Sequence, residues 1–222
     1  AANSYTGGTS LSGGYTVAPG DAQLGNPAGA VTLAGGTLVF GPSFNATSRN
    51  ILLGNGVLGG ALVNDGSVNF TGSISNATVT PSRFTKAGLG TLIIATNTAN
   101  VGAAVINNGT IQLGGVGGRL IATGTMAINQ GGALVVDHTA STAAKVSGTT
   151  AIGLSGANLR VLGNATLNTS VLTPGALLLG SSSNSGQGLT TITLEPNPAR
   201  NTAVRFGTVS RNANNGVQVL FK

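Results

Sequence analysis

Cysteine and tryptophan are absent from this 222-residue chain, and methionine and histidine occur once each. Aromatic residues make up 4% of it and charged residues 6%, against about 25% charged in an ordinary globular domain. Each shortage removes a class of protein. Without cysteine there is no disulfide framework, and with His138 alone the Cys and His ligands of a zinc site are missing. No run of 18 apolar residues is present to form a transmembrane helix, so membrane insertion by this segment is not expected. No basic-then-apolar leader opens the chain at Ala1.

Acids are the scarcest charge: Asp21, Asp65, Asp137 and Glu195, each separated from the next by tens of residues. A glycosidase needs two carboxylates a few ångströms apart, and nothing in this spacing pairs them. Asp137 precedes His138, but neighbours in a strand point to opposite faces, so Asp137 does not orient that ring for a Ser-His-Asp system. His138 reads as a surface or turn histidine. Calcium-binding coils carry Gly-Gly-x-Gly-x-Asp, and the nearest match, Gly114-Gly115-Val116-Gly117-Gly118-Arg119, has arginine where the carboxylate belongs. Phosphate loops need Lys-Ser/Thr and a following helix, both missing. No catalytic, cofactor-binding or metal-ligating residue is assigned, no cofactor is expected, and any ligand site is unknown; the chain reads as a non-enzyme.

What the chain does have is glycine, 37 residues of it, and 41% apolar residues. Glycine does not recur at every third position, which excludes collagen. The apolar content is enough for a core, which excludes a disordered linker. Helix-forming runs are lacking; Thr139 to Val146 offers one short helical turn at most. Short apolar runs bounded by Gly, Asn and Thr are the strand signal, and an all-β fold follows.

The stretch from Phe84 to Gly114 shows how these strands are arranged. Leu92-Ile93-Ile94 and Ile111-Gln112-Leu113 each follow a Gly-Thr pair, and Gly90 and Gly109 lie 19 residues apart. That distance is too long for a hairpin and suits one turn of a coil. Glycines before strong apolar runs recur at 14, 36, 66, 90, 109, 132, 156, 188 and 216, mostly 19–24 residues apart; longer steps read as inserted loops, such as 181–186. Phe84-Thr-Lys-Ala-Gly-Leu-Gly-Thr-Leu-Ile-Ile94 followed by Asn107-Asn-Gly-Thr-Ile-Gln-Leu-Gly114 resembles the autotransporter-associated β-strand repeat of bacterial autotransporter passenger regions. Ala2-Asn-Ser-Tyr-Thr-Gly-Gly-Thr9 resembles the middle segment of the same repeat. Where the family has Tyr-x-Gly-Gly, this chain has Asn100-Val101-Gly102-Ala103. The resemblance covers about a quarter of the chain. It implies a secreted β-helical passenger segment at the outer-membrane surface of a bacterium or outside the cell.

The expected fold is therefore a right-handed parallel β-helix, or solenoid, of about ten coils spanning residues 1–222 as one segment of a longer repeat-containing chain. An irregular β-sandwich is the alternative, in which Asn55-Gly56 and Asp65-Gly66 make hairpin turns rather than corners. Further strands are expected at 10–11, 15–17, 30–33, 37–40, 51–53, 57–58, 61–63, 68–70, 77–79, 119–121, 126–128, 133–136, 149–154, 158–162, 177–179, 190–194, 204–206 and 217–221. In Leu92-Ile93-Ile94, Leu92 and Ile94 share one face and Ile93 the other.

Net charge is +6 from ten scattered bases: Arg49, Arg83, Lys86, Arg119, Lys145, Arg160, Arg200, Arg205, Arg211 and Lys222. Nucleic-acid binders gather such charge on one face, so no nucleic acid is expected, and the bases read as solvated charges that keep the fibre soluble. Six Asn-x-Ser/Thr sequons, at Asn45, Asn69, Asn76, Asn108, Asn164 and Asn168, are what chance supplies in an Asn- and Thr-rich chain. Two functional classes remain. One is a structural segment of a cell-surface stalk or extracellular fibre, joined to more of the same long chain or to end-to-end copies. The other is an adhesin whose Thr/Asn/Ser faces bind surface glycans. A regular Thr-x-Thr array for ice does not recur at a fixed step.

Overall fold

Alternating strands and glycine-rich corners wind the chain into a parallel β-helix with three faces. The computed structural model describes residues 2–54, 59–95, 97–164, 170–180, 188–197, 201–212 and 216–222. The first coil holds β1 (Thr9–Leu11), β2 (Tyr15–Ala18) and a 3-10 turn at Asp21–Leu24. The second is β3 (Val31–Leu33), β4 (Thr37–Phe40) and β5 (Ala46–Thr47); the third is β6 (Ile51–Leu53), β7 (Gly60–Asn64) and β8 (Val68–Phe70). The fourth is β9 (Ile74–Asn76), β10 (Arg83–Ala87) and β11 (Thr91–Ile94); the fifth is β12 (Asn97–Val101), β13 (Ala103–Ile106) and β14 (Gly109–Leu113). The sixth is β15 (Arg119–Ala122), β16 (Thr125–Ile128) and β17 (Gly132–Asp137), and the seventh β18 (Ala151–Leu154) and β19 (Asn158–Leu162). The eighth is β20 (Ser170–Leu172), β21 (Ala176–Leu179) and β22 (Leu189–Glu195), and the ninth β23 (Thr202–Val204), β24 (Thr208–Arg211) and β25 (Gln218–Phe221).

Every strand pairing among the described residues is parallel and joins one coil to the next. The second face is a continuous nine-stranded sheet, β2-β4-β7-β10-β13-β16-β18-β21-β24, and the third face is the eight-stranded β5-β8-β11-β14-β17-β19-β22-β25. The first face is broken into β1-β3-β6-β9, β12-β15 and β20-β23. In the seventh coil it is reduced to a single bridge residue, Val146, opposite Leu120. Nine passes through the second face replace the expected ten, because the corner loops are longer than a uniform 22-residue repeat allows. At about 4.8 Å per strand the stack is about 38 Å long.

The β-sandwich alternative fails on this pairing. Asp65-Gly66 lies in a corner between β7 and β8 on adjacent faces; Asn55-Gly56 and the strand expected at 57–58 lie outside the described residues, as do the loop at 181–186, Arg200 and Asn168. The strand expected at 77–79 is also absent. Ile74–Asn76 forms the strand instead and residues 77–82 turn the corner, leaving Val79 fully exposed. Residues 139–146 contain no helix. Polar strands such as Arg83–Ala87 and Asn97–Val101 had no apolar run to mark them.

The core follows from strand alternation. Leu92 and Ile94 are completely buried and Ile93 points outward, in register with Ile111 and Leu113 on one side and Val68 and Phe70 on the other. On the second face the inward column runs Leu38, Leu62, Lys86, Ile106, Ile128 and Leu154. Only a tight corner lets the chain leave one face and join the next in register. Gly109 shows the constraint: its φ is +66°, and a Cβ there would collide with the carbonyl oxygens of Gly88 and Gly90 in the coil below.

Replacing Leu92 or Ile94 with aspartate puts an unpaired carboxylate into this column and is expected to cost at least several kcal/mol, enough to melt the segment. Ile93→Asp, on the outer face, is expected to stay within about 1 kcal/mol of the parent. Thermal denaturation of the three variants checks the alternation; equal losses would contradict it.

Candidate functional site

Among the described residues three bases are inside the solenoid, which corrects the expectation that the bases are solvated charges. Arg49, Lys86 and Lys145 are each at most 1% exposed. Each lies where backbone carbonyls converge, because a corner turns carbonyl oxygens out of the strand ladder and an ammonium or guanidinium can collect several of them.

Arg49 follows β5 and anchors the first coil. Its Nε donates to Asp21 Oδ1 at 2.8 Å, and its two terminal nitrogens donate to the carbonyls of Asp21, Gly25, Asn26 and Gly29. Thr47 Oγ1 donates to the same carboxylate oxygen at 2.7 Å. One arginine therefore holds the whole loop that stands in for a third-face strand in coil one. The segment before β1 lies across that loop, with Asn3 N donating to Ala22 O and Asn26 N to Tyr5 O. The loop and this segment leave Leu11, Ala18 and Leu24 of the first coil covered.

Lys86 occupies an inward slot between Leu62 and Ile106. Its Nζ donates to the carbonyls of Ala87, Gly88 and Asn108. Burial pushes its pKa down to about 8, against the pull of nearby Asp65.

The largest polar cluster fills the corner between the third and first faces at coils five to seven. His138 follows β17 and is completely buried, not at the surface. Its Nδ1 faces Ser141 O at 3.1 Å, and its Nε2 has no hydrogen-bond partner. Lys145 Nζ donates to Gly115 O at 2.5 Å and to Gly114 O at 3.5 Å. Those carbonyls belong to the glycine run that resembles a calcium coil, so the corner holds a cation supplied by the protein itself. Asn164 Nδ2 donates to the carbonyls of His138 and Thr139, and Asn164 N donates to Ser170 Oγ. Burial lowers the His138 pKa, aided by the Lys145 charge and opposed by Ser141 O and Asp137. Burial lowers that of Lys145 too, opposed by Asp137. Burial pushes the Asp137 carboxyl up, but hydrogen bonds from Thr139 and Gln112 and the Lys145 charge outweigh it and leave the pKa below its usual value.

The acids are spread as their spacing implied. Asp137 accepts from Thr139 and Gln112, Glu195 forms a two-pronged exposed pair with Arg160, Asp21 binds Arg49, and Asp65 accepts from Leu89 N. Asp137 and His138 do turn away from each other, as alternation requires. Among the described residues no three of His, Cys, Asp and Glu gather into a metal-sized group. Chemically the buried cluster is a set of hydrogen-bonded clamps: its nucleophile-type oxygen, Ser170 Oγ, accepts from Asn164 N, and the unpartnered imidazole nitrogen is enclosed. Asn164, one of the sequon asparagines, is itself committed to this corner. Alternation carried a signal for two of these residues: His138 continues the inward series Leu134, Val136, and Lys86 shares its face with Phe84. Arg49 sits in a corner, where no periodicity points to it.

No family model, no curated protein and no solved structure matches this chain.

Two pH windows follow. For Lys86, the folded chain releases its proton near pH 8 while the unfolded chain holds it to 10.5. Between those values the unfolded state binds more protons, so stability rises with pH. Wild-type Tm is expected to gain on that of Lys86→Met from pH 8 to 10.5; parallel curves would contradict this. His138 shifts the same way from 6.5, so stability falls as pH drops below 6.5. His138→Asn is expected to flatten that decline in an acid titration of Tm.

Proposed function

We propose that this chain is a non-enzymatic structural segment of a bacterial cell-surface stalk or extracellular fibre, built from autotransporter-like passenger repeats. The observation that carries the reading is the ladder of the second face, nine parallel strands from β2 to β24 in a single stack, since coils joined only to their neighbours make a rod. The ninth coil is less covered than the others: Val209, above Leu177, is 62% and Phe221, above Ile192, 67% exposed, while Arg211 and Thr202 stand at other inward positions, above Leu179 and Ser170. The partner proposed for this surface is the first coil of another copy.

Further support comes from what the polar groups do. The buried histidine, lysines and arginine are engaged with corner carbonyls and hold loops in place. The repeat-like stretch at 84–114 forms neighbouring coils in unbroken register on the third face, Thr91 on Thr110 through Ile94 on Leu113. A rod of stacked coils suits a spacer that projects from a cell.

Immunogold labelling with an antibody to this chain tests the location. Gold on intact producing bacteria, or on material shed from them, is expected; label that appears only after lysis would contradict the reading. A glycan array that returns saturable, selective binding would instead favour the adhesin. For the open end, sedimentation velocity of the isolated chain is expected to show concentration-dependent growth that Phe221→Lys and Val209→Lys suppress. Growth unchanged by both substitutions would show that the ninth coil is not the joining surface.

A further inference from the structure

One glycine of the second face has no steric reason to be glycine. Among the described strands four contain a glycine. Gly60, Gly109 and Gly132 each open a strand, and Gly153 alone lies inside one, third of the four residues of β18. The first three are explained by their neighbours. A Cβ at Gly60 would strike Leu33, one at Gly109 the carbonyl oxygens of Gly88 and Gly90, and one at Gly132 the carbonyl oxygen of Ile106. At Gly153 the nearest atom to a Cβ, Thr125 Cγ2, would lie at 3.6 Å, an ordinary van der Waals contact, and φ is not positive. A glycine inside a strand weakens the sheet and marks a place where another group comes close.

That place is a groove on the outer side of the sheet, of about 480 Å³. Register puts Val105, Ala127, Gly153, Leu178 and Ser210 in one outward column from coil five to coil nine, and all five line the groove. Gly153 is buried and forms its floor. The apolar stretch from Val105 to Leu178 crosses three strand spacings, about 14 Å. At coil nine the groove ends on Ser210, Arg211 and Asn212. Arg211 continues an inward column, above Leu179, but it is exposed and lines this end of the groove. It is the one charged residue in the lining.

We infer that this groove binds a free long-chain fatty acid, with its alkyl chain along Val105, Ala127, Gly153 and Leu178 and its carboxylate at Arg211. Three features select this occupant. First, β13, β16, β18 and β21 are each paired on both sides, so the floor has no spare backbone donors or acceptors. A peptide or saccharide laid there would give up water from its polar groups and gain nothing in return, whereas an alkyl chain has no such groups to desolvate. Second, the apolar length is close to the ~15 Å that one acyl chain spans in half of a bilayer's ~30 Å hydrocarbon core. Third, charge stands at one end only. A guanidinium takes a carboxylate through two parallel N–H···O bonds, and Ser210 and Asn212 lie beside Arg211. The site needs neither the cell-surface location nor the end joining proposed above, so it stands or falls separately from them.

Equilibrium dialysis of the full chain against radiolabelled octanoate, decanoate and dodecanoate, each below its micelle concentration, tests this. One saturable site is expected, with affinity rising about twofold per methylene, against the roughly fourfold gain of full burial, because one side of the chain stays in water. Gly153→Leu and Ala127→Leu put side chains into the groove from its floor. Each is expected to weaken dodecanoate binding at least tenfold, with circular dichroism unchanged and Tm not lowered. Arg211→Gln is expected to weaken dodecanoate at least tenfold yet leave dodecanol binding within about twofold, a split that a damaged fold would not produce. No saturable binding by the parent, binding indifferent to both floor substitutions, or a parent that holds dodecanol as tightly as dodecanoate would overturn the proposal. So would flotation of the chain with phosphatidylglycerol vesicles that Gly153→Leu abolishes, since that would assign the groove to an acyl chain still anchored in a bilayer.

Discussion

The inter-coil parallel ladder is the constraint on which everything else rests. Each coil must present strand backbone to the coils before and after it at about 4.8 Å, and a slip of one residue would turn every inward side chain out. Inward positions are therefore filled by columns of residues with similar size: Leu38, Leu62, Ile106, Ile128 and Leu154 on one face, Val68, Leu92, Ile111, Leu134, Leu159 and Ile192 on another. The scarcity of aromatics follows, since a ring at every level would not fit so narrow an interior. The glycine content follows as well, because corners such as Gly109 pass too close to the coil below for a Cβ.

The same constraint explains why cations are buried. A ladder satisfies strand carbonyls but leaves corner carbonyls pointing away from it, and an unpaired buried carbonyl is costly. Lys86, Lys145 and Arg49 collect these oxygens from within the protein. The three are not equivalent. Arg49 adds a carboxylate partner and holds a loop that closes one end, whereas Lys86 and Lys145 have carbonyl partners and pay in depressed pKa values. Three of the few cations of this chain thus serve internal architecture.

Much of the architecture was legible in the sequence, and for a stated reason. Gly-Thr followed by Leu92-Ile93-Ile94, repeated 19 residues on, carries both the strand period and the coil length, and the structure pairs those two strands residue for residue. Val79 misled because an apolar residue in an Ala-Thr-Val-Thr run looks like a strand, yet it projects from a corner. The buried polar groups were missed although period-two alternation placed Lys86 with Phe84 and His138 with Val136. For lysine and histidine the general preference for solvent and the local register point opposite ways, and at Lys86 and His138 register prevails. Arg49 was not legible by any periodicity, because its partners come from a loop 20 to 28 residues earlier in the chain. The gap in the first face at coil seven was equally hidden, since residues 138–145 spend their length enclosing the His138–Lys145 corner instead of forming a strand.

The ladder is tested most directly by distances along one outward column. Asn69, Ile93, Gln112, Val135, Arg160 and Thr193 are successive partners on the third face. Spin labels on cysteines placed at 69 and 160, and at 69 and 193, read by pulsed electron resonance with unlabelled chain in excess, give the separations. Backbone separations of about 19 Å and about 24 Å are expected, growing by one strand spacing per coil. Distances that fail to grow with coil number, or that fold back toward short values as antiparallel hairpins would produce, would contradict the parallel β-helix itself.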